Sequence, residues 1–315
     1  MNSTDLLLEH FYNEKITHFN FVFTTIAGAI TAFIAPFYLF IILTQSKSLG
    51  TYRFFLLNHS IWTICAELAL SLTKPCFLMP GAGGFVLGPL GKIGNSTMSC
   101  YFIFADCLFI LFTIVGMTMS LTYRYTSIFP GRVKKIGTSR WMMFTFLVLQ
   151  SIVGILICII VGKFFSLDRD TMDKIAIDFS PVLSKFTKEP TFVIVDREFM
   201  FFIIIIMWII LVIVSILSII VVMALLFELS RYSYTVSVQE CERTLILSCA
   251  AQVGITFMFL FIPVMVLLYY LTFGYIYGGP TMMIFGCIFS LHAIMEMLVT
   301  TYFVLPYRRF VKRGF

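Results

Sequence analysis

The stretch FMFFIIIIMWIILVIVSILSIIVVMALLF, residues 199–227, contains 29 residues and no charged side chain. A helix needs about 20 mostly apolar residues to cross a bilayer, because the hydrocarbon core is roughly 30 Å thick and each residue rises about 1.5 Å. This stretch is therefore long enough to form a transmembrane helix. Strands of transmembrane barrels typically alternate apolar and polar residues over about 10 positions, and this stretch shows no such alternation.

The composition of the whole chain also indicates a membrane environment. Of its 315 residues, 60% are apolar and 12% are charged, and the mean hydropathy is +0.98. An ordinary soluble domain carries about 25% charged residues. So few polar residues argue against a soluble enzyme, and the apolar content excludes intrinsic disorder. The net charge of +6 does not indicate nucleic-acid binding, because the basic residues flank apolar segments rather than forming a stripe.

Six further apolar segments resemble the first in length and are separated by charged or turn-forming residues. We predict an all-α membrane protein in which residues 1–315 form a single domain, a bundle of seven transmembrane helices ending in a short basic tail, residues 306–315. The predicted spans are 19–43, 54–79, 98–123, 141–162, 199–227, 244–271 and 281–305.

The distribution of Lys and Arg predicts the orientation, because cytoplasmic loops carry an excess of basic residues. Thirteen lie in the loops and tail on one side of the spans, and three on the other when the long segment 163–198 is left out. We therefore expect an extracellular N-terminus and a cytoplasmic C-terminus. The glycosylation sequons at Asn2 and Asn95 then fall on the extracellular side, which makes both asparagines candidate glycosylation sites.

The predicted third helix ends in Thr122-Tyr123-Arg124-Tyr125, which resembles the Asp/Glu-Arg-Tyr motif of G-protein-coupled receptors. The resemblance implies that Arg124, with Tyr123 and Tyr125, takes part in G-protein coupling. The resting contact between neighbouring residues is missing here, because Tyr123 replaces the acid that normally restrains the arginine, and how tightly the resting state is held stays open. The alternative is an arginine that merely extends its guanidinium toward lipid phosphates at a helix end.

Three longer motifs narrow the resemblance. They are YRFFLLNHSIW at residues 52–62, the stretch from PCFLMP at residues 75–80 to GPLG at residues 88–91, and Pro306-Tyr307-Arg308 after the seventh span. Together with residues 168–196, they resemble nematode serpentine chemoreceptors, most closely class Srh, with the sister class Sri as the alternative.

This resemblance implies a chemosensory receptor of the olfactory or gustatory type. It would bind a small environmental molecule in an outer pocket of the bundle and activate a heterotrimeric G protein. It would lie in the plasma membrane, in the sensory cilia of chemosensory neurons. No cofactor and no enzymatic activity are expected, and the resemblance leaves the oligomeric state open.

One departure from the family concerns disulfide bonding. Members often carry a cysteine in the second extracellular loop, but residues 163–198 contain none. Cys100, at the outer end of the third span, therefore lacks its usual partner. Cys76 or Cys158 is a candidate substitute, and three free thiols are the alternative. We expect the loop to be more mobile for this reason.

Ionisable side chains within a membrane span are costly and indicate function, and four of those in the predicted spans are singled out here. Glu67, Asp106, His292 and Glu296 are our candidate ligand-pocket residues, and structural polarity is the alternative for each. Asp106 precedes Arg124 by 18 residues, so the two share a helix face about 27 Å apart. His292 and Glu296 are one turn apart, and we expect them to pair with Glu67 or Asp106.

Pro263 interrupts the sixth span at mid-depth and is the candidate helix hinge, because proline removes a backbone hydrogen bond. The sequence also leaves two other functional classes open, an odorant-gated seven-helix channel and a transporter. A channel of this kind has a cytoplasmic N-terminus, which disagrees with the distribution of basic residues. A transporter would often show internal repeats, and none is visible in the sequence. No cysteine and histidine spacing predicts a metal site.

Overall fold

The computed structural model describes residues 11–79, 83–128, 135, 139–164, 168–195, 197–232, 240–274 and 278–313. The longer helices are α1 Glu14–Gln45, α2 Tyr52–Thr73, α3 Ser96–Ile128, α4 Arg140–Phe164 and α6 Arg197–Tyr232. The shorter ones are α5 Arg169–Phe179, α7 Glu240–Thr256, α8 Ile262–Phe273, α9 Gly278–Phe289, α10 His292–Phe303 and α11 Leu305–Arg313. Three short strands are β1 Pro75–Leu78, β2 Gly83–Val86 and β3 Val193–Ile194.

The helices form the predicted seven-transmembrane bundle. Six membrane helices in the described part of the chain are long and apolar enough to cross a membrane. Four of them are α1, α2, α3 and α6, and the other two are the interrupted helices formed by α7 with α8 and by α9 with α10. The remaining one is α4, whose apolar part covers Phe144–Leu156. Many apolar side chains of α4 and α6 face outward, as expected for surfaces in contact with lipid. The predicted all-α membrane fold is confirmed for the spans, and a small sheet is added outside them.

The second helix is shorter than predicted. The predicted span ran to residue 79, but α2 ends at Thr73, and Lys74 adopts a left-handed conformation with φ of 47°. Pro75 follows and has no amide hydrogen to continue the helix. The chain therefore turns at Lys74 and enters β1, where its apolar residues are buried in a sheet instead of a membrane helix.

The three strands form an antiparallel sheet at one end of the bundle, which we call the sheet end; the opposite end, where α3 terminates, is the Arg124 end. Cys76 pairs with Phe85 between β1 and β2, and Gly83 pairs with Ile194 between β2 and β3. Thr191, just before β3, adds contacts at 3.3 Å from its hydroxyl to both the backbone nitrogen and the carbonyl oxygen of Val86.

These contacts join the long loop between α4 and α6 to the rest of the sheet end without a disulfide among the described residues. The described part of this loop, residues 168–195, is joined to β2 by strand pairing. It also shares a buried apolar cluster with the first loop and the N-terminal segment. The buried members of this cluster are Phe11, Cys76, Leu78, Phe85, Met172, Ala176, Val182, Leu183, Phe192, Ile194 and Met283.

The sixth and seventh membrane helices are both irregular near mid-depth. In the sixth, a π-helical turn, Phe257–Phe261, separates α7 from α8, and Pro263 follows as the second residue of α8. In the seventh, α9 and α10 are separated at Ser290 and Leu291. Such interruptions are frequently found at functional sites, because they release backbone groups from regular hydrogen bonding.

The pairing of β2 with β3 predicts an engineered disulfide. A Cβ built on Gly83 would lie 3.7 Å from Cβ of Ile194, close to the usual separation in a disulfide. We expect Gly83→Cys with Ile194→Cys to form a bond under oxidation and to raise the thermal unfolding midpoint by several degrees. Mass spectrometry of the peptide pair and a thermal scan in detergent check this.

The matched control combines Gly83→Cys with Val193→Cys, because side chains of successive strand residues point to opposite faces. This pair is expected to remain reduced under the same oxidation. Crosslinking of the control pair in preference to the test pair would contradict the register of β2 and β3.

Candidate functional site

Asp106 lies on α3 near the sheet end and is almost completely buried. The hydroxyl of Thr73, the last residue of α2, donates to its Oδ2 atom at 2.6 Å. Its Oδ1 atom has no hydrogen-bond partner among the described residues. Backbone bonds from Leu87 to Lys74 and from Gly88 to Thr73 hold the chain after β2 against the same end of α2. Asp106 thus presents one free acceptor beneath the sheet.

The closest contact between ionisable groups among the described residues joins α2 to α10. Nε2 of His59 lies 2.7 Å from Oε1 of Glu296, and both side chains are buried. The hydroxyl of Thr63, one turn after His59, donates to Oε2 of Glu296 at 3.1 Å. Nδ1 of His59 lies 3.1 Å from the carbonyl oxygen of Thr113. Because that oxygen is only an acceptor, Nδ1 carries a proton.

The packing of α3 against α2 places His59 in this position. A Cβ built on Gly116 of α3 would lie only 2.9 Å from Cα of His59, so glycine allows the two backbones to approach. The imidazole then reaches the carbonyl of Thr113 on one side and the carboxylate of Glu296 on the other. A larger residue at position 116 would separate the helices and lengthen both contacts.

His292 extends this cluster to the sixth helix. Its Nε2 lies 3.3 Å from the hydroxyl of Thr256 and 3.9 Å from Oε2 of Glu296. Thr256 is the last residue of α7, immediately before the π-helical turn. Two turns along α10, Thr300 accepts a hydrogen bond of 2.8 Å from the amide of Gln252. Polar contacts therefore connect α10 with α2 and with the irregular part of the sixth helix.

Glu67 and Asp106 do not belong to this cluster. Glu67 is buried in α2, and neither of its carboxylate oxygens has a hydrogen-bond partner in the part of the chain described. The expectation that His292 and Glu296 pair with Glu67 or Asp106 is therefore wrong. Their partners are His59 and Thr63, together with Thr256. Sequence reasoning missed His59, although an ionisable residue inside a predicted span was itself a signal.

At the Arg124 end, the guanidinium of Arg124 lies over the ring of Tyr52, 3.5 Å from its centroid. The Nε and Nη2 atoms of Arg124 are buried and have no hydrogen-bond partner among the described residues. The Tyr52 hydroxyl accepts a 3.1 Å hydrogen bond from Ser120 of α3 and lies 3.5 Å from the Cys249 thiol of α7. Tyr52 therefore contacts α3 and the sixth helix at once.

The two tyrosines beside Arg124 contribute to packing. The ring of Tyr123 lies 4.8 Å from Phe55 and 5.6 Å from Tyr52, measured between centroids. Tyr125 packs against the main hydrophobic core. Tyr123 thus occupies the position of the usual acid but extends into an aromatic cluster with α2.

Tyr307, from the Pro-Tyr-Arg motif, is fully buried at the same end of the bundle. Its hydroxyl forms a short hydrogen bond with that of Ser46. Burial raises the pKa of Tyr307 to about 12, against smaller opposing effects of Ser46 and Arg124. The Tyr307 hydroxyl is therefore neutral at physiological pH and provides no counterion for Arg124.

One predicted cysteine pair is not formed, and glycosylation of Asn2 and Asn95 stays a prediction. Cys76 and Cys100 are both free thiols, so a bond between them is not formed. The side chain of the alternative partner, Cys158, lies outside the described residues. Burial raises the pKa of the Cys76 thiol, which disfavours the reactive thiolate. Asn95 is exposed and caps α3 by accepting from the Met98 amide at 2.9 Å, whereas Asn2 lies outside the described residues.

Among the described residues, no group of three or more His, Cys, Asp or Glu side chains is suited to hold a metal ion. Several polar groups inside the bundle, among them His59, Glu296 and Asp106, instead contact neighbouring helices. Seven membrane helices, an arginine at the end of the third and interruptions in the sixth and seventh define the class of seven-transmembrane receptors.

The family model described as "Serpentine type 7TM GPCR chemoreceptor Srh" matches residues 17–315. The chain belongs to this family of chemoreceptors and is a multi-pass membrane protein. The family resemblance inferred from the sequence motifs is confirmed. No curated protein matches the chain.

The buried contacts of Glu296 predict an energetic coupling across the bundle. We expect Glu296→Ala to destabilise the protein by about 3–5 kcal/mol, because it leaves His59 without its partner in a site of low dielectric constant. His59→Ala should be similarly costly, and the double variant should cost less than the sum of the two. Thermal unfolding in detergent micelles measures all three.

Glu67→Gln is the matched control, since it alters a buried glutamate of α2 that has no hydrogen-bond partner among the described residues. It should lower the unfolding midpoint much less than Glu296→Gln. Additive effects of the His59 and Glu296 substitutions would contradict the coupling.

Proposed function

We propose that the protein is a chemosensory G-protein-coupled receptor that binds a small environmental molecule near Asp106 and activates a heterotrimeric G protein at Arg124. The observation that carries this proposal is the position of Arg124. Two of its guanidinium nitrogens are buried without hydrogen-bond partners at the end of α3. Such nitrogens favour a partner that supplies acceptor oxygens, as the end of a G-protein helix does.

Asp106 is the best-supported ligand contact. Its Oδ1 atom is a free acceptor in a buried site, where an unmade hydrogen bond is costly. An amine or a hydroxyl group on the ligand would satisfy it. Glu67 has free oxygens as well, and we keep it as a pocket candidate that is deeper than Asp106.

His292 and Glu296 are better suited to transmission than to ligand binding, because their closest side-chain contacts are with other helices of the bundle. Their contacts connect α2, α10 and the residue that precedes the π-helical turn. We propose that a ligand displaces these helices, that the sixth helix bends at the turn and Pro263, and that the Arg124 end opens to the G protein. No cofactor or enzymatic step is needed.

The orientation required for this function places the Arg124 end in the cytoplasm and the sheet end outside. The excess of basic residues in the loops at the Arg124 end supports it, as does the basic helix α11. Arg308, Arg309 and Lys312 of α11 are suited to contact anionic lipid at the inner surface. We place the receptor in the plasma membrane of sensory cilia, on the strength of its family.

Differential tagging tests this orientation. An epitope before Asn2 should stain on intact cells, and one after Phe315 only after permeabilisation, because basic loops are retained in the cytoplasm. Immunofluorescence with and without detergent provides the readout. The reverse pattern would place Arg124 outside, discard the receptor mechanism and favour the odorant-gated channel.

The coupling role predicts that Arg124→Ala abolishes G-protein activation without lowering the amount of receptor at the cell surface. The variant removes the cation that would meet the G protein, while most of the core contacts remain. Nucleotide exchange on purified heterotrimers of the main Gα classes, stimulated with a panel of amines and alcohols, measures the effect.

Asp106→Asn is the matched comparison, since it changes the proposed ligand contact at the other end of the same helix. It should shift the concentration dependence for amines by at least tenfold while leaving the maximal response of the receptor unchanged. Normal exchange by Arg124→Ala would contradict the assigned role of Arg124.

A further inference from the structure

The restraint on Arg124 in this structure is aromatic. Receptors that this chain resembles carry an acid immediately before the arginine, and here that position is Tyr123. The guanidinium instead lies on the face of Tyr52, 3.5 Å from the ring centroid, within the range of a strong cation–π contact. Tyr52 is only 2% exposed, so water competes little with this contact.

The ring of Tyr52 is itself held in place. Its hydroxyl accepts from Ser120, which is one turn before Arg124 on α3, and lies close to Cys249 of α7. The ring also packs against Tyr123. Because Tyr52 is the first residue of α2, these contacts join the ends of α2, α3 and the sixth helix around the guanidinium.

The aromatic contact leaves part of the hydrogen-bonding capacity of Arg124 unused. A ring face attracts the positive charge but cannot accept the directed N–H bonds of Nε and Nη2, which are buried without partners in the described structure. A carboxylate clasp would occupy both nitrogens. A partner offering carbonyl oxygens therefore gains hydrogen bonds that Tyr52 does not provide, and the arginine can be exchanged from the ring to that partner.

We infer that Tyr52 is the resting-state anchor of Arg124, a positioning residue that replaces the missing acid and that the arriving G protein displaces. This inference rests on the proposed receptor function. Loss of the ring should shift the population toward the coupling-competent state, because the resting state alone contains the contact.

The test compares Tyr52→Leu with Tyr52→Phe in ligand-free nucleotide exchange. The receptor is reconstituted in vesicles with purified heterotrimers, and rates are normalised to the amount of receptor. Tyr52→Leu removes the ring and should raise basal exchange roughly thirtyfold, as expected for loss of a desolvated cation–π contact. Tyr52→Phe keeps the ring and should stay within about twofold of the parent.

Phe55→Leu is the matched control, because Phe55 lies one turn away on α2 and stacks on Tyr123. It should leave basal exchange unchanged. If Tyr52→Phe raises exchange as much as Tyr52→Leu, the hydroxyl is the restraint and the inference is overturned.

Fluorinated phenylalanines at position 52 keep the test valid if Tyr52→Leu fails to fold. Each added fluorine weakens the negative face of the ring with little change in shape. Basal exchange should therefore rise stepwise with fluorination. A flat series would overturn the cation–π anchor.

A double-mutant cycle separates this inference from the proposed function. Tyr52→Leu and Arg124→Ala should have non-additive effects on the thermal unfolding midpoint in detergent, because they remove one shared contact. Additive effects overturn the anchor regardless of signalling. If neither the parent nor any variant stimulates exchange, the proposed function fails. If the parent stimulates exchange but Tyr52→Leu does not raise it, only the role of Tyr52 as an anchor is overturned.

Discussion

The carboxylate of Glu296 is the group whose burial constrains the rest of the bundle. A charge in a membrane interior is tolerated only with close partners, and α2 supplies them through His59 and Thr63. His292, one turn earlier, contacts the last residue before the π-helical turn. The position of α10 is therefore tied to α2 and to the sixth helix. A movement that breaks one of these contacts exposes an unpaired buried group, which favours concerted rather than independent motion of the helices.

The same helices meet again at the Arg124 end, through Tyr52 of α2 and Cys249 of α7. There, and at the sheet end, the chain lacks a residue that the sequence resemblance led us to expect, and a different interaction is present. An aromatic ring contacts Arg124 in place of an acid. Pairing of β2 with β3, together with Thr191, holds the long loop without the usual cysteine.

Sequence reasoning was most successful where the signal was local. The seven apolar segments predicted the seven helices, and the motifs at residues 52–62, 75–91 and 306–308 predicted the family. The boundary of α2 was wrong because Pro75-Cys76-Phe77-Leu78 is as apolar as a membrane segment but is buried in a sheet. The predicted partners of Glu296 were wrong because its actual partners are far away in the chain. Thr63 and His59 precede Glu296 by 233 and 237 positions, and only the packing of α2 against α10 identifies them. His59 was visible inside a predicted span, but its partner was not.

The sequence by itself determined that this chain is a membrane protein with seven helices, because hydrophobic length and basic flanking residues are properties of each segment alone. It also identified Arg124, Asp106 and Pro263 as positions of interest. Only the tertiary structure decided that Arg124 lies on Tyr52, that Asp106 retains a free oxygen beneath the sheet, and that Glu296 pairs with His59. These contacts depend on how helices distant in sequence rotate against each other, and that rotation follows from the packing of the whole bundle.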